Sequence, residues 1–544
     1  MSTESSSGAS TPTVSTPSTS TPPSPELKAL KLQDIPESAK LEAAKVKAEA
    51  NKAFINHRFN EAADLYTKAI ELNPADATLW CNRAYTRIKL EEHGYGLADA
   101  SAAIELDAKY AKAYYRRATC YLQTLKYKQA IADFKKLLQL EPGNQLVRTQ
   151  MDSTQKILRK TEFEKAIEME EEKSAVERCL EIINEGGCDL DKAYDGPKLP
   201  QDENGLYSMS RDFIHEMLEY FKTGKTLPRR YVWEIVLGAY NAFVAEESLV
   251  TLALEDGVDC DVIGDVHGQY YDMLHLFELT GEPSETHCLL MNGDLVDRGS
   301  WSIEVILTAF AWKWLYPNRM FINRGNHETR EMNRTYGFEG EAKHKHGEQS
   351  YKLFAHVFTA MPLATLIQAT KKPTGLWSNA ILSPEGFKRY FVVHGGLFSK
   401  DGVTLEDIRK LERIGRQPGQ EGLMCERGML LWTDPQELPG RGPSKRGVGI
   451  AFGPDVTKRW CDANGVTGII RSHEVRQDGY AIEHNGLCTT VFSAPNYVDQ
   501  TGNRGAFIRI DAWGTQKYTQ FDARPHPPMK PMAYASGGLA NLLM

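Results

Sequence analysis

Three short motifs between Gly264 and Glu328 carry side chains that bind metals and move protons. They read Gly264-Asp265-Val266-His267-Gly268-Gln269, Gly293-Asp294-Leu295-Val296-Asp297-Arg298-Gly299 and Gly325-Asn326-His327-Glu328. Each follows an apolar run, Val262-Ile263, Cys288 to Met291 and Met320 to Ile322. Such runs lack polar alternation and predict buried parallel strands. The polar groups then sit at strand ends, and in open α/β sheets loops from successive strands converge there to form a crevice. Aspartate, histidine and asparagine without thiolate suit manganese, iron or zinc in a catalytic role better than a structural cysteine cage. Tyr390-Phe391-Val392-Val393-His394-Gly395-Gly396 and Gly468-Ile469-Ile470-Arg471-Ser472-His473-Glu474 repeat the arrangement. A lone histidine past an apolar run reads as a hydrogen-bonded core residue. Five such strand ends in one region do not.

These motifs, with Leu431-Trp432-Thr433-Asp434-Pro435, Lys445-Arg446-Gly447-Val448 and Ser493-Ala494-Pro495-Asn496-Tyr497, resemble those of the metal-dependent serine/threonine phosphoprotein phosphatases over roughly Asp191 to Ala523. The resemblance implies an α/β metallophosphoesterase core, a central β-sandwich with flanking helices. It also implies that Asp265, His267 and Asp294 hold one metal while Asp294, Asn326, His394 and His473 hold a second, with Asp294 bridging. Two divalent ions of this kind, manganese or magnesium in vitro and iron or zinc in the cell, activate a shared water for direct attack on phosphorus. The leaving serine or threonine alkoxide needs a proton. His327 is positioned to deliver it, with Asp297 orienting the other ring nitrogen. The plainer reading of Asp297 is a solvated charge or a salt bridge to Arg298. Arg298 and Arg446 are the candidate phosphate clamp, a geometry the guanidinium fork suits, and Tyr497 lines the site by resemblance. Val498 stands where many relatives carry cysteine. The absence of a DxDxDG loop argues against a calcium-sensing subtype.

Upstream, Ala69-Ile70-Glu71-Leu72-Asn73-Pro74, Ala103-Ile104-Glu105-Leu106-Asp107-Ala108 and Leu137-Leu138-Gln139-Leu140-Glu141-Pro142 recur every 34 residues, 104 − 70 and 138 − 104. That is the tetratricopeptide period. Ala50, Ala84 and Ala118, and Ala62, Gly96 and Ala130, keep the frame. Three such repeats form an all-α solenoid used for binding. Lys47 and Asn51, Asn82 and Lys89, and Lys112 and Arg116 fall on shared helical faces. Basic pairs of this kind are commonly plain surface. These resemble the carboxylate clamp of chaperone-binding repeat domains, which holds the C-terminal Glu-Glu-Val-Asp tail of the 90-kDa heat-shock chaperone. Lys89 replaces an arginine there and loses the planar fork. In repeat-bearing phosphatases of the family, a carboxylate at the position of Glu91 reaches the phosphate-binding arginine, here Arg298, and a C-terminal tail steadies that closed form. The resemblance therefore implies an autoinhibited enzyme, opened by chaperone peptide or fatty acid; the plainer reading of Glu91 is a solvated charge beside Glu92.

The expected domains are a disordered Ser/Thr/Pro-rich tail (1–38), three repeats (39–142), a helical linker (143–190), the catalytic domain (191–523) and a C-terminal regulatory tail (524–544) whose apolar end, Leu539 to Met544, could form a short docking helix. A net charge of −8 argues against a general nucleic-acid binder. Nine cysteines without CxxC pairs read as reduced thiols of a cytoplasmic and nuclear protein. The most apolar helix, expected over Tyr231 to Val250, is interrupted by Glu234, Asn241, Glu246 and Glu247, so no membrane span is expected. The reading is of a monomer acting on phosphoproteins. Its rivals are a binuclear phosphodiesterase or nuclease, against which Arg446 and the Trp432 and Tyr497 motifs speak, and an inactive chaperone-bound scaffold, against which the intact ligand set speaks.

Overall fold

The computed structural model describes residues 35–168, 173–372, 380–418 and 429–535. The expected tail up to residue 34, the charged run at 169–172 and the apolar C-terminal end lie outside them. The chain divides into two units: one runs up to Leu90 and includes Tyr95–Arg117, and the other comprises Glu91–Gly94 and everything from Ala118 onward.

Helical hairpins follow from the 34-residue spacing. Helices α1 (Glu37–Ile55), α2 (Phe59–Leu72), α3 (Ala77–Lys89), α4 (His93–Leu106) and α5 (Ala111–Gln123) succeed one another through short turns, and α6 (Tyr127–Leu140) completes the third repeat. Ala50 and Ala62, fully buried with Ala53 and Tyr66, let α1 and α2 approach closely. Asp76 caps α3 by accepting from the Thr78 N–H (2.8 Å). In the first unit Arg83 donates twice to buried Asp99 (2.9 and 2.8 Å) while stacking over Trp80. Arg87 also reaches Asp99 (3.3 Å), so removing Asp99 would strand two buried guanidinium groups.

In the second unit, α7 (Gln145–Glu168) precedes α8 (Ala175–Asn184), whose first turn is closed by a capping box between Ser174 and Glu177. Within the stretch expected as linker, α8 buries Val176 and Cys179 in the core shared with α9 (Arg211–Lys222) and α10 (Arg229–Val244). The expected helix to Val250 stops at Val244, because Leu249 and Val250 already pair with Ala364 and Thr365 as strand β1 (Leu249–Leu254).

Among the described residues the remaining strands are β2 (Asp259–Ile263), β3 (His287–Met291), β4 (Met320–Ile322), β5 (Ala364–Ala369), β6 (Arg389–Val393), β7 (Asp434–Pro435), β8 (Arg441–Pro443), β9 (Ile450–Phe452), β10 (Gly468–Arg471), β11 (Tyr480–Glu483), β12 (Cys488–Val491), β13 (Gly505–Ile510) and β14 (Gln516–Phe521). They form sheets of order β14-β13-β2-β3-β4, β1-β5-β6-β10-β12-β11 and β7-β9-β8. The first two pack face to face through Cys260, Val262, Leu290, Ile367, Val392, Ile470 and Ile508. Each is covered on its outer face by helices, one core holding Leu289, Met291 and Ile322 and another holding Phe391, Val393 and Ile469. Adjacent residues of β3, β6 and β10 thus enter different cores, and both are apolar. That is why these strands read as unbroken apolar runs. The β2-β3-β4 and β6-β10 pairings are parallel as expected, but they belong to two facing sheets, not to one open sheet.

Candidate active site

Every side chain proposed from the five motifs reaches one region at the ends of β2, β3, β4, β6 and β10. The backbone there is held in an uncommon form. His267, Asp294, Asp297, Arg298 and His473 all have φ between +48° and +72°, in the left-handed region that non-glycine residues seldom occupy. Gly293 and Gly325 permit close approach: a Cβ at Gly325 would lie 2.3 Å from the Asp294 nitrogen. Buried Glu328 holds the turn by accepting N–H groups of Asp294 (2.9 Å), Leu295 (2.8 Å) and Gly325 (2.8 Å). The two sheets are tied here by the Asp265 to Phe492 bridge and by the Gly264 N–H donating to Ser493 Oγ (2.8 Å).

The tautomers of two histidines decide what the cluster can hold. His394 Nδ1 lies 2.9 Å from the Asn292 carbonyl and His267 Nδ1 lies 3.1 Å from the Val296 carbonyl. A carbonyl only accepts, so both Nδ1 atoms carry hydrogen and both Nε2 atoms present lone pairs. The His394 Nε2 lone pair faces Asp294 Oδ2 (3.2 Å), Asn326 Oδ1 (2.8 Å) and His473 Nδ1 (3.2 Å). The His267 Nε2 faces Asp265 Oδ2 (3.7 Å) and Asp294 Oδ2 (3.6 Å). Acceptors aimed at acceptors need a cation between them. Protonating the rings instead is disfavoured: burial holds His267 and His473 well below the usual imidazole range and lowers His394. Burial also pushes Asp265 up to about 7 and Asp294 well above the carboxylate range. Asp265 Oδ2 and His473 Nε2 are buried without a hydrogen-bond partner. The residues fit divalent metal, with Asp294 common to both halves.

Beside this set, His327 Nδ1 lies 2.9 Å from Asp297 Oδ2, and the His327 N–H donates to Asp294 Oδ1 (2.8 Å). Asp297 also accepts from the Phe338 N–H (2.8 Å) and from Asn333 Nδ2 (3.2 Å). It is fully buried and engaged on both oxygens, not a solvated charge. Burial, and then the Arg298 charge, hold the His327 ring well below its ordinary pKa. Arg298 stacks 4.0 Å over Tyr336, and Tyr497 lies against the His267 ring at 5.2 Å. Arg446 donates to Asp434 Oδ2 (2.7 Å) and to the His473 carbonyl. Glu91, counted with this unit, accepts from Arg298 Nη2 at 2.6 Å. Burial raises its carboxyl, but Arg298, His93 and Arg446 outweigh that and hold it down at about 2.

In the first unit, Arg116 stacks 3.5 Å over Tyr85 and Lys89 lies 5.9 Å from the same ring. Asn51 Oδ1 accepts from Asn82 (3.5 Å) and from the Tyr66 hydroxyl (2.6 Å). Lys47 is engaged elsewhere, bound to Asp76 (3.3 Å) and to Thr78. Burial and the nearby Arg116 lower the Lys89 pKa. Lys112 lies close enough to act on buried Cys81 electrostatically.

Family models match in three places: a Calcineurin-like phosphoesterase over residues 260–477, a PPP5 TPR repeat region over 151–251 and a Tetratricopeptide repeat over 111–144. Serine/threonine-protein phosphatase T of Aspergillus oryzae is 47% identical over 91% of this chain and 97% of its own length. The chain belongs to the serine/threonine-protein phosphatase 5/T family. The Homo sapiens phosphatase 5 is 43% identical, over 89% of this chain and 91% of its own. A solved Saccharomyces cerevisiae serine/threonine phosphatase with similarity to human PP5 superposes with a TM-score of 0.53 at 42% identity, covering 60% of this chain and all of that one. The phosphatase 5/T chain is thus a metal-dependent serine/threonine-protein phosphatase with an N-terminal tetratricopeptide region.

Two groups at this phosphatase 5/T site were missed from sequence. Glu328 and Glu474 both follow a motif histidine, but their carboxylates turn away from the metal set, Glu328 onto backbone N–H groups and Glu474 onto Lys445, Arg471 (2.6 Å) and Arg476 (3.1 Å). Some of their partners are distant in sequence (Asp294 and Leu295, and Lys445) and others only two or three residues away (Gly325, Arg471 and Arg476), and the motif spacing alone did not choose among them. Because burial raises the Asp265 and Asp294 carboxyls despite nearby arginines, chelation of divalent metal is expected to destabilise the chain. Adding manganese at 100 times its dissociation constant should restore about 2.7 kcal/mol per site occupied in the native state alone. Calorimetric unfolding with and without metal checks this, and equal stabilities would contradict it.

Proposed function

We propose that the chain hydrolyses phosphoserine and phosphothreonine by direct transfer of the phosphoryl group to water at two divalent ions. We further propose that the Glu91 turn keeps its resting activity low and that its repeat groove takes the C-terminal Glu-Glu-Val-Asp tail of the 90-kDa heat-shock chaperone. The convergence of the His394 and His267 lone pairs on Asp294, beside the His327–Asp297 pair, carries the catalytic part. Asp265, His267, Asp294, Asn326, His394 and His473 would hold the divalent cations, which when bound would lower the pKa of water and offset phosphoryl charge.

The chain's own groups do the rest. Arg298 and Arg446 hold the non-bridging oxygens and orient phosphorus, and Tyr497 closes the wall beside His267. His327 delivers a proton to the leaving alkoxide through Nε2 while Asp297 fixes Nδ1. An arriving phosphate dianion cancels the Arg298 charge that otherwise disfavours a protonated ring.

Glu91 competes for the same arginine. Its carboxylate offers Arg298 the oxygens a phosphate would offer, so substrate and Glu91 exclude one another. The depressed pKa means this pairing stabilises fully above the ordinary carboxylate pKa and is lost only as pH falls towards about 2. Near neutral pH, release therefore needs an effector, such as chaperone peptide or fatty acid, that favours the open state. In the repeat groove, Asn51, Asn82, Lys89, Lys112 and Arg116 face the peptide carboxylates, and Lys47 joins by exchanging Asp76 for them.

Three measurements test these parts. His327→Ala should lower kcat on an alkyl phosphate roughly 10²- to 10⁴-fold with metal content unchanged, and less on a nitrophenyl ester whose leaving group needs no proton; full turnover on the alkyl ester would refute the acid role. A peptide ending in Glu-Glu-Val-Asp should bind in a salt-sensitive way, since exposed charges are screened over about 10 Å at 0.1 M. Lys112→Glu or Arg116→Glu should abolish that binding, and equal affinity for an amidated peptide would exclude a carboxylate clamp. For the turn, the Gly94 N–H donates to the Lys445 carbonyl (2.7 Å), and a Cβ at Gly94 would fall 2.5 Å from the Gly447 nitrogen. Gly94→Val should raise resting phosphopeptide turnover as Glu91→Ala does, and unchanged rates in both variants would end the inhibitory reading.

A further inference from the structure

The polar side chains buried at the seam between the two sheets have no part in the chemistry described above. Asn292, Asn323, Thr365 and Ser472 are each at most 1% exposed, beside the apolar interior of the sandwich. Burying four polar side chains there costs stability unless every group is paired. They are paired with one another and with the backbone. Thr365 Oγ1 donates to Asn323 Oδ1 (2.8 Å), and Asn323 Nδ2 donates to Asn292 Oδ1 (2.9 Å) and to the Val392 carbonyl (3.2 Å). Asn292 Nδ2 donates to the Val393 carbonyl (2.9 Å) and to Ser472 Oγ (2.9 Å). The Val393 carbonyl can only accept, so the amide orientation of Asn292 is fixed.

The partners of Asn292 are not arbitrary. Val393 immediately precedes His394, and Ser472 immediately precedes His473. The Asn292 carbonyl also accepts from His394 Nδ1 (2.9 Å), and its N–H donates to the Ile263 carbonyl two residues before Asp265 (2.8 Å). Asn292 itself lies two residues before Asp294. One side chain at the end of β3 therefore reaches across to both ligand-bearing strands of the facing sheet, and the same residue sets the His394 tautomer.

We infer that Asn292 is a positioning residue that fixes the His394 and His473 half of the site against the Asp265 and His267 half. A leucine of similar size would suit the apolar interior better for stability alone. It would leave the Val393 carbonyl and Ser472 hydroxyl unpaired and free the two histidine-bearing strand ends to drift from Asp294. In the half built from His267 and Asp265, His267 is fixed by the Val296 carbonyl and the Asp265 strand end by Ser493, neither of them a hydrogen-bond partner of the Asn292 side chain, while the His473 N–H donates to Asp265 Oδ1 (3.1 Å) and links the two halves more weakly.

The inference rests on the two-ion reading of the site, and the test separates the two. Metal is titrated calorimetrically into the chelated full-length chain, with bound metal counted by elemental analysis at limiting manganese. Wild type binding fewer than two ions per chain would overturn the two-ion reading itself. With two in wild type, Asn292→Leu is expected to weaken one ion roughly 10- to 100-fold, as loss of groups supporting metal ligands does, and the other by a clearly smaller factor. A folded variant that keeps both affinities, or loses both equally, would overturn the assignment, since general loosening of the fold does not discriminate between ions. Should Asn292→Leu not fold, Ser472→Ala removes one of the same hydrogen bonds with little change of volume. It should weaken the same single ion by a smaller factor, and an unchanged titration would overturn the inference.

Discussion

The site is organised by an electrostatic demand: carboxylate oxygens and imidazole lone pairs are aimed at one another inside the protein. Asp294 Oδ2 is shared by His267 and His394, and burial pushes its carboxyl well above the carboxylate range even with Arg446 and Arg298 acting to lower it. Such an arrangement persists only where the surrounding fold over-determines it. The structure supplies that constraint from the backbone. Two sheets packed face to face bring their strand ends together, Glu328 pins the Asp294 turn through three N–H groups, and glycines at 293 and 325 allow two loops to touch. The left-handed φ values at five site residues are the local cost of aiming those side chains inward.

Much of the site was legible because its residues are local to strand ends. A strand buried on both faces reads as an apolar run, and the first polar residues after it must lie at its end, so Asp265, Asp294, Asn326, His394 and His473 are found by pattern. What the pattern does not contain is which sheet each strand joins. Val392 and Ile470 carry the same apolar signal as Val262 and Leu290, yet they face them from another sheet. The resemblance supplied the sandwich, where strand periodicity predicted only a single crevice. The helix expected through Val250 failed for a related reason, since apolar residues from Tyr231 onward suit both states and the partner strand at Ala364 lies more than a hundred residues away.

The groups that escaped the sequence are those whose role depends on which way the side chain turns. Asn292 and Asn323 stand directly after the apolar runs, where an amide reads as the start of a loop; only their pairing with Thr365 and Ser472 shows otherwise. Glu328 and Glu474 stand in the motifs yet bind backbone and arginines, leaving the metal to their neighbours. In each case the residue type was visible and its orientation was not. Spacing constrains a side chain's face and leaves its hydrogen-bond partner open.

These observations also bear on why a protein keeps polar groups in such an interior. The two cores on either side of the sandwich are satisfied by Leu, Ile, Val and Phe, and apolar packing alone fixes volume without fixing register along a seam. A hydrogen-bonded ladder does fix register, because sliding one sheet by a fraction of a strand spacing breaks several directional bonds at once. The site needs that register: a metal-binding set split between two sheets tolerates little relative movement, whereas a core of branched aliphatics tolerates it readily. The ladder from Thr365 to Ser472 lies directly beneath the point where the sheets share ligands, and the stability it forgoes is spent where the chemistry requires two halves to hold one geometry.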